Sequence, residues 1–205
     1  NTTNPGTGEA WGGQFPQPQV QDWVRSQKLL AEHLGISKWA AVIGGSLGGM
    51  QALQWTIDFP DWVGHCVALA AAPGLTAQNI AFNEIARHAI LSDPDWREGA
   101  YLSEGTLPAR GVALARMVGH LTYMSADGMS DRFGRELREG GFSPDENAEW
   151  VFQVESYLRH QGSRFSTQFD ANTYVLMTRA LDLFDLTASQ DGGLAAALSR
   201  AQAAS

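Results

Sequence analysis

The sequence is poor in cysteine and in basic charge, and it has no long apolar run. One cysteine in 205 residues, Cys66, excludes an internal disulfide and fits a reducing compartment. Its place in Cys66-Val67-Ala68-Leu69-Ala70 predicts a buried strand residue rather than a thiol nucleophile. With 14 Lys and Arg against 22 Asp and Glu, the formal net charge is −8, which argues against nucleic acid or an anionic membrane as the main partner. No run is long enough to span a bilayer and no signal-peptide pattern is visible, so the expected location is the cytoplasm. Internal repeats and an initiator Met are also missing.

What is present is a core-forming composition, 44% apolar, and one organising stretch, Gly44-Gly45-Ser46-Leu47-Gly48-Gly49. The apolar run 39–43 before it reads as a buried strand and 50–55 after it as a helix. Strand, G-x-S-x-G, helix is the pattern of a nucleophile elbow, in which the serine sits on a sharp, strained turn. Side chains at Gly44 and Gly48 would crowd the neighbouring backbone, so both glycines are expected to be sterically required. The turn would lift the Ser46 hydroxyl to a helix N-terminus, where the Leu47 N–H is free to bind a developing oxyanion. The competing reading is an ordinary Gly-rich structural turn, since Gly and Ser abound in loops.

Along the chain, residues 1–19 read as an ordered surface loop and 20–34 as a helix ended by Gly35. The elbow helix is stopped by Pro60, and 63–71 is a second parallel strand, giving a doubly wound unit. From about 76 to 184 the periodicity is helical: 77–91, 111–124, 127–138, 151–161 and 170–185, with 140–149 as a mobile linker and 193–203 as a last helix. The expected partition is a partial core at 1–75, a helical lid at 76–186 and a returning core helix at 187–205. In the helix from Gly111, Leu114, Met117, Val118 and Leu121 share one face, with Arg116, His120 and Tyr123 opposite. That pattern suits a core face and a solvated face; it also suits a pocket wall on which Arg116 holds a carboxylate.

Several stretches together resemble the homoserine O-acyltransferases, α/β-hydrolase-fold enzymes of methionine biosynthesis. They are Gly-Gly-Ser-Leu-Gly-Gly-Met-Gln-Ala-Leu from Gly44, Ala-Gln-Asn-Ile-Ala-Phe-Asn-Glu from Ala77 and Ala-Arg-Met-Val-Gly-His-Leu-Thr-Tyr from Ala115. Gln-Val-Glu-Ser-Tyr-Leu-Arg-His-Gln-Gly from Gln153, Phe-Asp-Ala-Asn-Thr-Tyr from Phe169 and the Asn-Pro-Gly-Thr-Gly loop from Asn4 add to them. The resemblance implies an α/β-hydrolase-fold fragment with few parallel strands and a large helical lid. It implies ping-pong transfer of an acetyl or succinyl group from acyl-CoA to L-homoserine through an acyl-Ser46, with Arg116 and Tyr123 binding substrate. Acyl-CoA is then a co-substrate, and neither a cofactor nor a metal is expected. Relatives of this kind often pair through the lid helices, so a homodimer is expected.

In this fold the acid and the base follow the nucleophile in the order Ser, Asp, His, after the lid. No triad is assigned here: His120 and His160 fall in the helical insertion, and Asp170, Asp182 and Asp185 read as helix-end or surface carboxylates. The expectation is a segment from the middle of a longer enzyme, inactive on its own. A succinyl donor would call for an extra cation; Arg87 and Arg135 are candidates, each expected to be an ordinary surface arginine. Two alternatives stand beside acyl transfer: an esterase or thioesterase with water as acceptor, and a non-catalytic dimerisation module.

Overall fold

A computed structural model of the chain describes residues 2–138, 152–188 and 193–201. Helix α1, Val20–His33, begins where the Asp22 carboxylate reaches back to accept the Gln19 N–H at 2.8 Å. It ends at Gly35, whose φ of 73° suits glycine. Strand β1 (Trp39–Gly45), helix α2 (Leu47–Asp58) and strand β2 (Val63–Leu69) follow. The strands pair in parallel, from Trp39 opposite Val63 to Gly45 opposite Leu69, so α2 is the crossover between them. Pro60 opens the short 3-10 turn that separates α2 from β2.

The remaining elements are helical: α3 (Ala77–Leu91), α4 (Ala109–Tyr123), α5 (Ala126–Phe133), α6 (Gln153–Ser166), α7 (Ala171–Leu183) and α8 (Gly193–Leu198). Most begin and end within a few residues of the expected positions. Three helices differ at their C-terminal ends: Gly134, at φ 51°, stops α5 five residues short of the predicted end, α8 closes five short at Leu198, and α6 runs five beyond, to Ser166. The expected linker at 140–149 lies outside the described residues.

The chain divides into two compact units, one of Pro16–Ile80 and Leu176–Ser205, the other of Asn1–Phe15 and Ala81–Val175. These bounds differ from the 1–75, 76–186 and 187–205 partition, because residues 1–15 group with the helices. That loop is closed by the Thr3–Ala10 bridge, and Gly13 lies so near the Glu98 carbonyl that an added Cβ would meet it at 2.8 Å.

In the strand-bearing unit α1 and α2 bury Val20, Val24, Met50, Ile57 and Trp55, with Phe184, Leu186 and Ala197 completing the core. The Trp55 indole N–H donates to Gln27 Oε1 at 2.8 Å, tying α2 to α1. The sheet is covered unevenly: Ile43, Val67 and Leu69 remain 69%, 39% and 56% exposed. Cys66 is half-buried rather than fully buried, and that burial raises its thiol pKa above the ordinary value, consistent with an unreactive thiol.

The helical unit closes on Ala86, Ile90, Tyr101, Val112, Ala115, Ala171 and Val175. The core face of α4 is therefore Val112 and Ala115, one step round the helix from the expected Leu114, Met117, Val118 and Leu121 stripe. Leu114 and Leu121 are 50% and 55% exposed. The cause is the small residues on α3, α4 and α6. An added Cβ at Gly111 would meet Ile90 Cα at 2.7 Å, and one at Gly162 would meet the Ala113 carbonyl at 2.8 Å. Close backbone approach thus turns the Gly111–Ala115 side of α4 inward.

Candidate functional site

Ser46 stands between β1 and α2 at φ 54° and ψ −121°, a strained backbone setting for a residue with a side chain. Its N–H is held by the Leu69 carbonyl at 2.9 Å and its C=O accepts the Met50 N–H at 3.1 Å. The turn is therefore fixed from β2 and from inside α2. Ser46 is exposed, and its hydroxyl does not cap the helix it precedes. Among the described residues none hydrogen-bonds that hydroxyl, and the N–H of Leu47, first residue of α2, has no backbone partner. The arrangement offers an unencumbered hydroxyl beside an unpaired amide donor.

The steric expectation for the glycines holds for Gly44 and fails for Gly48. A Cβ on Gly44 would run into the Gly48 carbonyl, whereas one on Gly48 would meet nothing within 4 Å. The second obligatory glycine is Gly49, where a Cβ would lie 2.6 Å from Ala71 Cβ and 3.1 Å from the Gly44 carbonyl. The strand–helix crossing, not the residue two after the serine, sets the limit.

In the helical unit Arg116 and Tyr123 both lie on α4, seven residues apart. The Arg116 guanidinium sits over the Phe165 ring of α6, 4.6 Å from its centroid. Its Nε is shut off from solvent without a hydrogen-bond partner. Phe165 is itself fixed, stacked on Phe169 at 4.7 Å and edge-on to Tyr174 at 6.2 Å. Burial, with the neighbouring Tyr123 phenol second, pushes Tyr174 up to about 12. Tyr123 is 71% exposed, with its phenol turned along its own helix towards Gly119.

One turn beyond Arg116, His120 Nδ1 lies 2.9 Å from the Tyr157 hydroxyl of α6, and the Arg132 guanidinium of α5 covers the Tyr157 ring at 4.8 Å. Desolvation first, then Arg116 and Arg132, hold the imidazole pKa below its ordinary value. Arg116 and Arg132 form no ion pair among the described residues. A planar guanidinium can bind both oxygens of a carboxylate.

Tyr157 and Tyr174 were legible only as parts of matching stretches and Phe165 lies in none of them; nothing in their spacing assigned them to Arg116. Arg87 is not the expected surface residue: its side chain is 7% exposed and its Nε and Nη2 donate to Glu84 Oε2 at 3.2 and 2.9 Å. Arg135 is exposed, over the Phe152 ring at 5.7 Å. Asp170 is a helix-end carboxylate, as expected, accepting the Thr173 N–H at 2.8 Å and the Tyr101 hydroxyl.

The family profile described as alpha/beta hydrolase fold matches residues 2–183. A curated relative from Teredinibacter turnerae, a homoserine O-succinyltransferase, is 61% identical over 185 residues, covering 90% of this chain and 48% of its own length. The chain spans about half the length of the curated relatives it matches. Among solved structures, homoserine O-acetyltransferase from Bacillus anthracis superposes with a TM-score of 0.86 at 26% identity, covering 98% of this chain and 53% of that one. Esterase E22 superposes at 0.82 with 30% identity, covering 98% and 54%.

Proposed function

The chain belongs to the alpha/beta-hydrolase fold family, and from that premise we propose that it is the nucleophile-bearing part of a homoserine O-succinyltransferase. The observation that carries the reading is the strained, exposed Ser46 with an unpaired Leu47 N–H beside it. The Ser46 oxygen attacks the thioester carbonyl of succinyl-CoA, the carbon–sulfur bond breaks, and the serine proton passes through a general base to the CoA sulfur. The hydroxyl of L-homoserine then attacks the succinyl-serine, yielding O-succinylhomoserine and regenerating Ser46. Leu47 N–H supports the oxyanion in both steps. Arg116, with Tyr123, takes the homoserine carboxylate. The preference for succinyl over acetyl rests on the names of the curated relatives. We take the enzyme to act in the cytoplasm as a homodimer; the exposed Leu114 and Leu121, one heptad apart on α4, support a helix-to-helix contact.

The experiment is CoA release by a protein carrying this segment at the length of its relatives, with succinyl-CoA and with or without homoserine. Release that depends on homoserine supports the transferase. Release indifferent to homoserine supports the second reading, an esterase with water as acceptor, which the superposition with esterase E22 favours. No release with either donor, succinyl-CoA or acetyl-CoA, contradicts both.

A further inference from the structure

Resting on the reading of Arg116 as the carboxylate ligand, we propose that α6 is the positioning element of that site. Phe165 carries the Arg116 guanidinium, and the Tyr157–His120 hydrogen bond holds α4 at the register where it does so. The two helices run antiparallel, and they touch at three levels. At one end His120 Nδ1 meets the Tyr157 hydroxyl at 2.9 Å. In the middle Gly162 faces Ala113 at a distance that admits no side chain. Beyond it the Arg116 guanidinium lies on the Phe165 face at 4.6 Å, the arginine reaching back towards the helix N-terminus as helical side chains do. Tyr157 and Phe165 are eight residues apart and so share a face of α6.

An arginine on a helix otherwise samples many rotamers, and each bidentate carboxylate contact must select one of them. A fixed aromatic platform makes that selection before the ligand arrives. Phe165 qualifies because the stack with Phe169 and the edge contact with Tyr174 leave its ring one orientation. The guanidinium keeps its charge on the platform, and its Nε finds no acceptor there, so the contact orients the group without neutralising it. Tyr157 acts at one remove: the ring contacts of His120 with Tyr123 at 6.0 Å and Tyr157 at 5.5 Å show that the same residue also bears on the second substrate side chain.

Two measurements on the 205-residue chain test this, neither requiring turnover. In NMR spectra the Arg116 Nε–H, lying beside an aromatic face and shut off from water, is expected upfield of ordinary arginine and slow to exchange. Phe165→Leu should return it to the ordinary position, while Phe165→Tyr, which keeps the face, should leave it in place. Titration with L-homoserine in a calorimeter should then show binding weakened roughly three- to thirtyfold by Phe165→Leu and restored by Phe165→Tyr. Tyr157→Phe, which deletes a single oxygen, should weaken it about two- to tenfold, and it carries the test if Phe165→Leu fails to fold. An Arg116 resonance and a homoserine affinity unmoved in both Phe165→Leu and Tyr157→Phe would overturn the inference alone. Wild-type chain that binds no homoserine, or binds it as well after Arg116→Ala, would overturn the carboxylate reading and the inference with it.

Discussion

Ser46 holds a φ of 54° against the preference of every residue except glycine. That strain persists because β2 and α2 each hold one of its backbone groups. Relieving it should stabilise the chain: Ser46→Gly is expected to raise unfolding free energy by about 1 kcal/mol, after the entropy of the added glycine is deducted. A lower denaturant midpoint would mean that the turn is not strained. His120 makes a second residue-level prediction. Its pKa is lowered from 6.5 by desolvation, Arg116 and Arg132, so between 6.5 and the folded value the unfolded chain binds more protons. Stability therefore falls as pH drops through that interval, and the loss is complete below the folded value. By NMR, Arg132→Ala should move the His120 titration upwards; an unchanged midpoint would show that Arg132 does not act on the ring. The serine was legible in the sequence because its pattern is local. The lowered pKa of His120 was not, since it depends on burial and on Arg132 of α5 arriving beside the ring.

Between elements, the spacing of glycines had to be judged by what lies opposite them. The G-x-S-x-G pattern correctly marks Gly44, but it misassigns the second contact, because Gly49 rather than Gly48 faces Ala71 at the crossing of α2 and β2. Gly44→Ala and Gly49→Ala should each cost about 3 kcal/mol, while Gly48→Ala, which meets open space inside a helix, should stabilise by up to about 1 kcal/mol. Equal losses at all three would contradict the geometry. The same lesson applies to α4. Its apolar stripe was readable, but which face turns inward depended on Gly111 and Gly162 as points of close approach. Asp93, at the end of α3, caps the start of α4 by accepting the Gly111 N–H at 2.7 Å. Asp93→Ala should cost about 2 kcal/mol in chemical denaturation, since the buried amide loses its partner. Sequence periodicity placed both helices, whereas the cap joins residues 18 apart and left no local signature.

For the molecule as a whole, the resemblance in separated stretches was more informative than composition, because it drew on both units at once. Composition set only a class: one cysteine, an acidic balance and enough apolar residues for a core. It did not show that a loop at the start of the chain would group with helices far along it. Nor did it show that Leu114 and Leu121 would be left outside. If those leucines join two subunits, Leu114→Glu with Leu121→Glu should shift sedimentation to the 22.2 kDa monomer, and wild-type chain already at that mass would remove the proposed dimer. The claim on which the account turns is acyl transfer through Ser46. Its most direct measurement is intact-mass spectrometry of a protein carrying this segment at the length of its relatives, after exposure to succinyl-CoA. The account predicts a succinyl adduct mapping to Ser46, absent in Ser46→Ala and discharged by L-homoserine as O-succinylhomoserine. An adduct that survives Ser46→Ala, or one that water discharges as fast as homoserine does, would contradict it.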